Sequence, residues 1–300
     1  MGVLESIKTI PVEMNTYVKQ LFPANSSVLS KTYPAICFEN VILKHNKTID
    51  LDGFDAYGGV FVSDEIVVIG GTEKSVGKMK AINILNEKIV DEHTFSTTVK
   101  RLAFDFESES LFVSCYGSKL YRLKFVNVFE FKMNMKDDDD YNGGICVSDG
   151  VLYVIVDKTV KKFSLENVQD SLDMCFETYT SCIKLNGLEV GSKNNRLLYT
   201  SGTNEVVCSS WDGREIFKYK DEYMKETTSL SVHSEGIIFV GDEYGSIHLI
   251  SKDGEQRLSV LNSCDKLKIV RDLCLDKSCL RLAVFGRGYT ELYDVCAGSG

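Results

Sequence analysis

Few residues of this 300-residue chain are equipped for chemistry, and they are scattered. The histidines are His45, His93, His233 and His248. None stands beside a Gly-x-Ser-x-Gly elbow, a phosphate-binding loop or a second histidine at metal-ligand spacing. Cys37, Cys115, Cys146, Cys175, Cys182, Cys208, Cys264, Cys274, Cys279 and Cys296 include no Cys-x-x-Cys pair, so the usual zinc knuckle is missing. Several interrupt apolar runs, as in Ile145-Cys146-Val147 and Leu273-Cys274-Leu275, where a thiol acts as a small core residue. Reduced cysteines of this kind point to an intracellular, cytoplasmic protein.

Carboxylates offer two further possibilities. Asp157, Asn204, Asp242 and Glu291 could converge on a channel and hold calcium for hydrolysis, although loop carboxylates more commonly face solvent or cap turns. The run Lys136-Asp137-Asp138-Asp139-Asp140-Tyr141 lacks the ligand alternation and central Gly of an EF-hand. It reads as a solvated connecting loop; a functional role would be attraction of a basic partner. The chain is therefore expected to be no enzyme and to carry no cofactor or metal.

The charge balance narrows the partners. Against 34 Lys and Arg stand 43 Asp and Glu, a net charge of −9, which disfavours nonspecific phosphate binding. RNA remains an alternative through a local patch, either Lys119, Arg122 and Lys124 or Lys158, Lys161 and Lys162. No run of 18 apolar residues could span a membrane.

The elements that must position these residues repeat. Val60, Leu102, Ile145, Leu188, Leu230 and Leu273 each open an apolar strand, at intervals of 42, 43, 43, 42 and 43 residues. That period suits a four-stranded propeller blade and neither helical nor leucine-rich repeats. Each repeat gives a first strand, a polar turn, an all-apolar second strand, a loop and a third strand, as in Gly59–Val62, Ile66–Ile69 and Met79–Ile84. Asp-Gly turns such as Asp149-Gly150 mark the hairpins. The sixth repeat stops one strand short at Asp294-Val295, and Thr48-Ile49-Asp50-Leu51, with Val41-Ile42-Leu43, can supply the missing edge. The expected fold is all-β: a six-bladed β-propeller over 37–296, closed by N-terminal strands. Before it, 1–36 forms a segment with a short helix starting at Pro11, on the stripe Met14, Tyr17, Val18 and Leu21. Residues 297–300 read as an appended tail.

Blades four to six carry a resemblance. Val206-Val207-Cys208-Ser209-Ser210-Trp211-Asp212-Gly213-Arg214, then Gly236-Ile237-Ile238-Phe239-Val240-Gly241 and Ser246-Ile247-His248-Leu249-Ile250-Ser251-Lys252-Asp253-Gly254, resemble NHL-type repeats. The whole looks like the C-terminal propeller of invertebrate tripartite-motif proteins. That resemblance implies the substrate-recognition region of a ubiquitin ligase, with RING, B-box and coiled coil lying elsewhere. The loops Ser201–Val206 and Gly241–Ser246 keep the family's Asn once, at Asn204, and lack the following Arg. The Arg-rich face of RNA-binding relatives is thereby weakened.

In a propeller, the loops joining second to third strands and those joining blades share one face. Here that face is expected to gather Tyr116, Lys119, Asp157, Lys158, Asn204, Asp242, Tyr244, Arg287 and Tyr289, with Tyr57 and Tyr141 from the connections between blades. Exposed Tyr and Arg in concert are the composition of a protein-interaction hot spot, so the expected partner is a protein or peptide.

Overall fold

The chain divides into two units, Met1–Pro34 and Ala35–Gly300. The computed structural model describes residues 36–298 apart from 118, 137–142, 157–158, 166–172, 178–187, 192–195, 201–202, 263 and 265. The helix expected from Pro11 and the acidic run therefore lie outside the described residues.

Strands arise where the apolar runs fall. The first part of the chain forms β1 (Val41–Phe61), β2 (Ile66–Glu73), β3 (Val76–Asn83) and β4 (Lys88–Phe95), then β5 (Val99–Asp105), β6 (Ser110–Cys115), β7 (Lys119–Phe125) and β8 (Phe129–Lys136). The middle gives β9 (Ile145–Ser148), β10 (Val151–Val156), β11 (Thr159–Ser164) and β12 (Asp173–Glu177), then β13 (Leu188–Gly191), β14 (Arg196–Thr200), β15 (Glu205–Ser210) and β16 (Glu215–Lys220). The last part gives β17 (Thr227–Val232), β18 (Ile238–Asp242), β19 (Ile247–Ile250), β20 (Arg257–Leu261), β21 (Asp272–Leu275), β22 (Arg281–Phe285) and β23 (Arg287–Ala297).

Four sheets of four sequential antiparallel strands run β5–β8, β9–β12, β13–β16 and β17–β20. The remaining strands form one seven-stranded sheet in the order β21-β22-β23-β1-β2-β3-β4. This order follows from the length of β1. Its first part pairs with β23, placing Thr48 opposite Glu291 and Ile49 opposite Thr290, while Asp55 to Phe61 pairs with β2. Between the two parts the register slips at Asp50–Asp55, where Asp52 and Gly53 adopt positive φ.

Ala297, expected to begin a tail, ends β23 opposite Val41, and the Gly298 N–H donates to the Asn40 carbonyl at 2.6 Å. The ladder formed with β1 holds these residues, a long-range pairing that local composition does not announce.

Burial explains why the centres of the second strands are apolar. Every residue of β6, β14 and β18 is buried, because both faces of these strands are covered. The core lies between successive sheets. Val68 and Met79 pack with Leu111 and Val113, and Phe112 and Leu120 pack with Leu152 and Val154. Tyr153 and Ile155 meet Leu197 and Val207, and Leu198 and Cys208 meet Ile238 and Val240. Phe239 and Leu249 meet Val284 and Tyr293, and Phe285 and Leu292 meet Val67 and Ile69. Each fully buried side chain of this kind contributes about 1.5–3 kcal/mol. The outermost strands are the opposite case: β4 and β16 carry no buried residue except Phe95.

Candidate functional site

The first strands set the site. β1 touches β5, β5 touches β9, β9 touches β13, β13 touches β17, β17 touches β21, and β21 touches β1. A cavity of about 250 Å³ lies among them, lined by Gly59, Arg101, Phe104, Ile145, Ser231 and Asp272 among others. The strands come this close because glycine stands where a side chain would collide. A Cβ on Gly59 would meet the Phe285 ring at 2.3 Å, and one on Gly58 would meet the Lys100 carbonyl at 2.8 Å.

Arg101, near the start of β5, spans several strand starts at once. Its Nη1 donates to the carbonyls of Tyr57 at 2.5 Å and Arg271 at 3.0 Å, and its Nη2 donates to Thr228 at 3.2 Å. The Asp272 carboxylate lies 3.9 Å from Nη1 and accepts the N–H groups of Gly59 and Leu273. Burial pushes the Asp272 carboxyl up to about 6, with the Arg101 charge and the two N–H donors opposing the rise.

Around this guanidinium lies an alternating set of cations and rings. The Lys100 ammonium sits 4.5 Å from the Tyr57 ring centre and 4.6 Å from that of Tyr116. The Arg271 guanidinium sits 4.0 Å from the Tyr57 centre, and its Nη2 reaches Asp55 Oδ1 at 3.2 Å. Such contacts contribute about 0.5–1 kcal/mol each where exposed and fix the direction of each charge.

The remaining expected site residues fall as follows. Tyr116 and Tyr244 are 55% and 64% exposed, Arg287 is exposed, and Tyr57, Lys119, Asn204 and Tyr289 are half-buried. Lys119 donates to Ser96 Oγ at 3.0 Å. Asp242 is buried: its Oδ1 accepts the N–H groups of Tyr244 and Ser246, and its Oδ2 lies 3.1 Å from His248 Nε2. It therefore shapes the loop that presents Tyr244 and offers no open carboxylate. Tyr141, Asp157 and Lys158 lie outside the described residues. The structure thus joins Tyr57 to Tyr116 through Lys100, and sets Arg287 opposite Asp55 in the β23–β1 ladder.

Nothing in local composition marks Lys100, Arg101 and Arg271 as site residues, because the starts of first strands stand out in the sequence only by their apolar residues. A signal was present: Arg101 immediately precedes Leu102, and Arg271 lies two residues before Leu273, at the same end of their repeats.

Of the four residues considered for a calcium channel, Asp157 lies outside the described residues, and Asp242 and Glu291 are buried with their carboxylates engaged. Glu291 is fully buried, and its carboxylate accepts the N–H groups of Lys266 and Leu267 and the Tyr293 hydroxyl. Among the described residues no group of three or more His, Cys, Asp or Glu is placed to hold a metal. His248 has Asp242 at one ring nitrogen and Arg257 Nη1 at the other, 2.9 Å away, so neither nitrogen faces a nucleophile. Burial pushes the Cys115 and Cys208 thiols up to about 12 and 11, as expected of core residues. No helix among the described residues is long and apolar enough to cross a membrane.

Comparison with solved structures fits this arrangement. The WD40 beta propeller domain of Doa1 superposes with a TM-score of 0.59 at 12% identity, covering 84% of this chain and 96% of that one. The fold is that of a β-propeller. The computationally designed Ika8 protein also matches, with a TM-score of 0.51 at 15% identity, over 80% of this chain and 70% of its own. At these identities the likeness speaks to fold alone. No protein-family model and no curated protein matches the sequence. Propellers commonly serve as platforms for protein binding.

Proposed function

We propose that residues 37–296 form a non-enzymatic six-bladed propeller, closed by the N-terminal strand, that recognises a protein or peptide through its loop face. Support for the closed ring comes from β1 serving both β23 and β2, and from the unbroken circuit of contacts among the six first strands. The observation that carries the binding function is the presentation of Tyr116 and Tyr244, both more than half exposed, with the Lys100 ammonium 4.6 Å from the Tyr116 ring centre. Large aromatic surface on a rigid frame is what interaction hot spots require. Both nitrogens of His248 being occupied, with no nucleophile beside them, favours binding over catalysis. The NHL-like repeats extend the reading to the substrate-recognition region of a tripartite-motif-like ubiquitin ligase in the cytoplasm.

Site-specific photo-crosslinking tests the face. A crosslinker at Tyr116 or Tyr244 is expected to capture a partner that one at Leu85, in the β3–β4 turn at the opposite end of its strands, does not. Equal capture from all three positions overturns the assignment, as does capture unaffected by Tyr116→Ala with Tyr244→Ala.

A further inference from the structure

We propose that the cavity enclosed by the first strands binds an uncharged polyhydroxyl molecule of monosaccharide or cyclitol size, a function separate from that of the loop face. The walls dictate this chemistry. β5, β9, β17 and β21 each stand at the end of their sheet, and among the described residues no ladder joins one of them to another. The N–H and C=O groups of their free edges therefore turn away from their own sheets, toward the space the first strands share. Backbone groups so placed need partners, and in a cavity of about 250 Å³ these are several waters or a ligand that imitates them. Asp272 Oδ1 accepts the Leu273 N–H at 3.0 Å and Oδ2 that of Gly59 at 3.3 Å, and a carboxylate has lone pairs for about two more donors. Ser231 Oγ accepts the Leu275 N–H at 3.2 Å and retains a hydroxyl hydrogen to donate. Asp272 and Leu275 bound β21, so they stand about 10 Å apart along the strand. Hydrogen bonds of about 2.8 Å at each end leave a gap that opposite hydroxyls of one six-membered ring can bridge.

The charges in the cavity select a neutral occupant. The Asp272 carboxyl, at about 6, is ionised at neutral pH, and it lies 3.9 Å from Arg101 Nη1 with both side chains partly open to solvent. Arg101 directs its N–H groups to the carbonyls of Tyr57, Arg271 and Thr228. An ammonium entering here would be drawn to the carboxylate and repelled by the guanidinium, and a ligand carboxylate would meet the reverse. Either ion would lose its hydration for little net attraction. A hydroxyl donates to Asp272 with no charge of its own to desolvate. Phe104 and Phe106, edge to face at 5.0 Å, add an apolar wall that suits the C–H face of a sugar or cyclitol ring. A plain hydrocarbon would displace water from the polar strand edges and return no hydrogen bonds.

Ligand-observed NMR and calorimetry on the full chain at neutral pH test this with myo-inositol, glucose, glucosamine, glucuronate and cyclohexanol. Myo-inositol or glucose is expected to bind with a Kd of about 1 mM or tighter, and the two charged sugars and cyclohexanol at least about tenfold more weakly. Val147→Phe, which fills the cavity from β9, is expected to abolish binding, and Asp272→Asn to weaken it about fivefold or more. Thermal unfolding shows that each variant is folded. Should Val147→Phe not fold, Ser231→Ala takes its place, with an expected weakening of about threefold or more. The inference is overturned by no binding of either neutral polyol up to about 10 mM, in which case the cavity holds water alone. Binding that the folded variants leave unchanged overturns it too, as does equal or tighter binding of a charged sugar or cyclohexanol.

Discussion

Arg101 Nη2 donates to the Thr228 carbonyl at 3.2 Å across 127 residues of sequence, joining the start of β5 to the start of β17. The other terminal nitrogen of the same guanidinium reaches the carbonyls of Tyr57 and Arg271. Strands from three other parts of the chain thus meet on one side chain. Thr228 Oγ1 extends the link by donating to the Val270 carbonyl at 2.7 Å.

Arg101→Ala is expected to lower stability by about 2–4 kcal/mol, because it leaves carbonyls unpaired and removes the positive neighbour of Asp272. Arg101→Lys should recover only part of this, since one ammonium cannot span carbonyls that a planar fork reaches together. Urea unfolding of the three proteins measures it, and a loss below about 0.5 kcal/mol in Arg101→Ala would contradict the bridging role.

Asp272 predicts a pH dependence of defined sign. Its folded carboxyl sits at about 6, against an ordinary value of 3.8. Between these values the native state binds more protons than the unfolded chain, so this contribution to stability falls as pH rises. It is fully present below 3.8 and lost as pH passes about 6, a change of up to about 3 kcal/mol. Asp272→Asn should abolish that slope, leaving a profile that parts from wild type progressively between pH 4 and 6. Thermal unfolding across this range checks it, and parallel curves for the two proteins would exclude Asp272 as the source.

Much of this architecture was written in the period of strand starts, because a strand covered on both faces must be apolar and its spacing is set by the hairpins around it. Val67 to Ile69 and Leu197 to Tyr199 show this directly: all are buried in second strands. The site was less legible. Tyr116 and Tyr244 could be placed by their turns, but Lys100 owes its position to one ring in β1 and another in the turn after β6, and Arg101 to carbonyls far away in sequence. Backbone acceptors leave no mark on side-chain composition. Asp242 misled for a related reason: a carboxylate in a turn reads as exposed until the N–H groups of Tyr244 and Ser246 are seen to bind it.

Gly59 tests how tightly the first strands approach. Its φ is ordinary, so the cost of a side chain is one of space: a Cβ would lie 2.3 Å from the Phe285 ring, itself fully buried. Gly59→Ala is expected to destabilise by about 1–3 kcal/mol. Adding Phe285→Leu should relieve part of that loss, so the double variant falls short of the sum of the single effects. Denaturant unfolding reads this out, and strict additivity would show that the ring moves aside without cost.

The last test concerns the chain Asp242–His248–Arg257–Asp221, buried at Asp242 and His248 and half-buried at its other end. His248 lies 3.1 Å from Asp242 and 2.9 Å from Arg257, and Arg257 Nε reaches Asp221 Oδ2 at 2.6 Å. Asp221 lies just beyond β16 and Arg257 in β20, so the chain ties two sheets together behind the loop that presents Tyr244. His248→Ala leaves the Asp242 carboxylate buried with only its two N–H donors, at an expected cost of about 3 kcal/mol. Asp242→Asn within the His248→Ala background should be nearly neutral, because the charge that lost its partner is gone. Coupling close to zero in this cycle would mean that the two side chains stabilise the fold independently. Strong coupling, with peptide binding at Tyr244 lost in His248→Ala and restored in the double variant, would show that the chain acts by holding the loop.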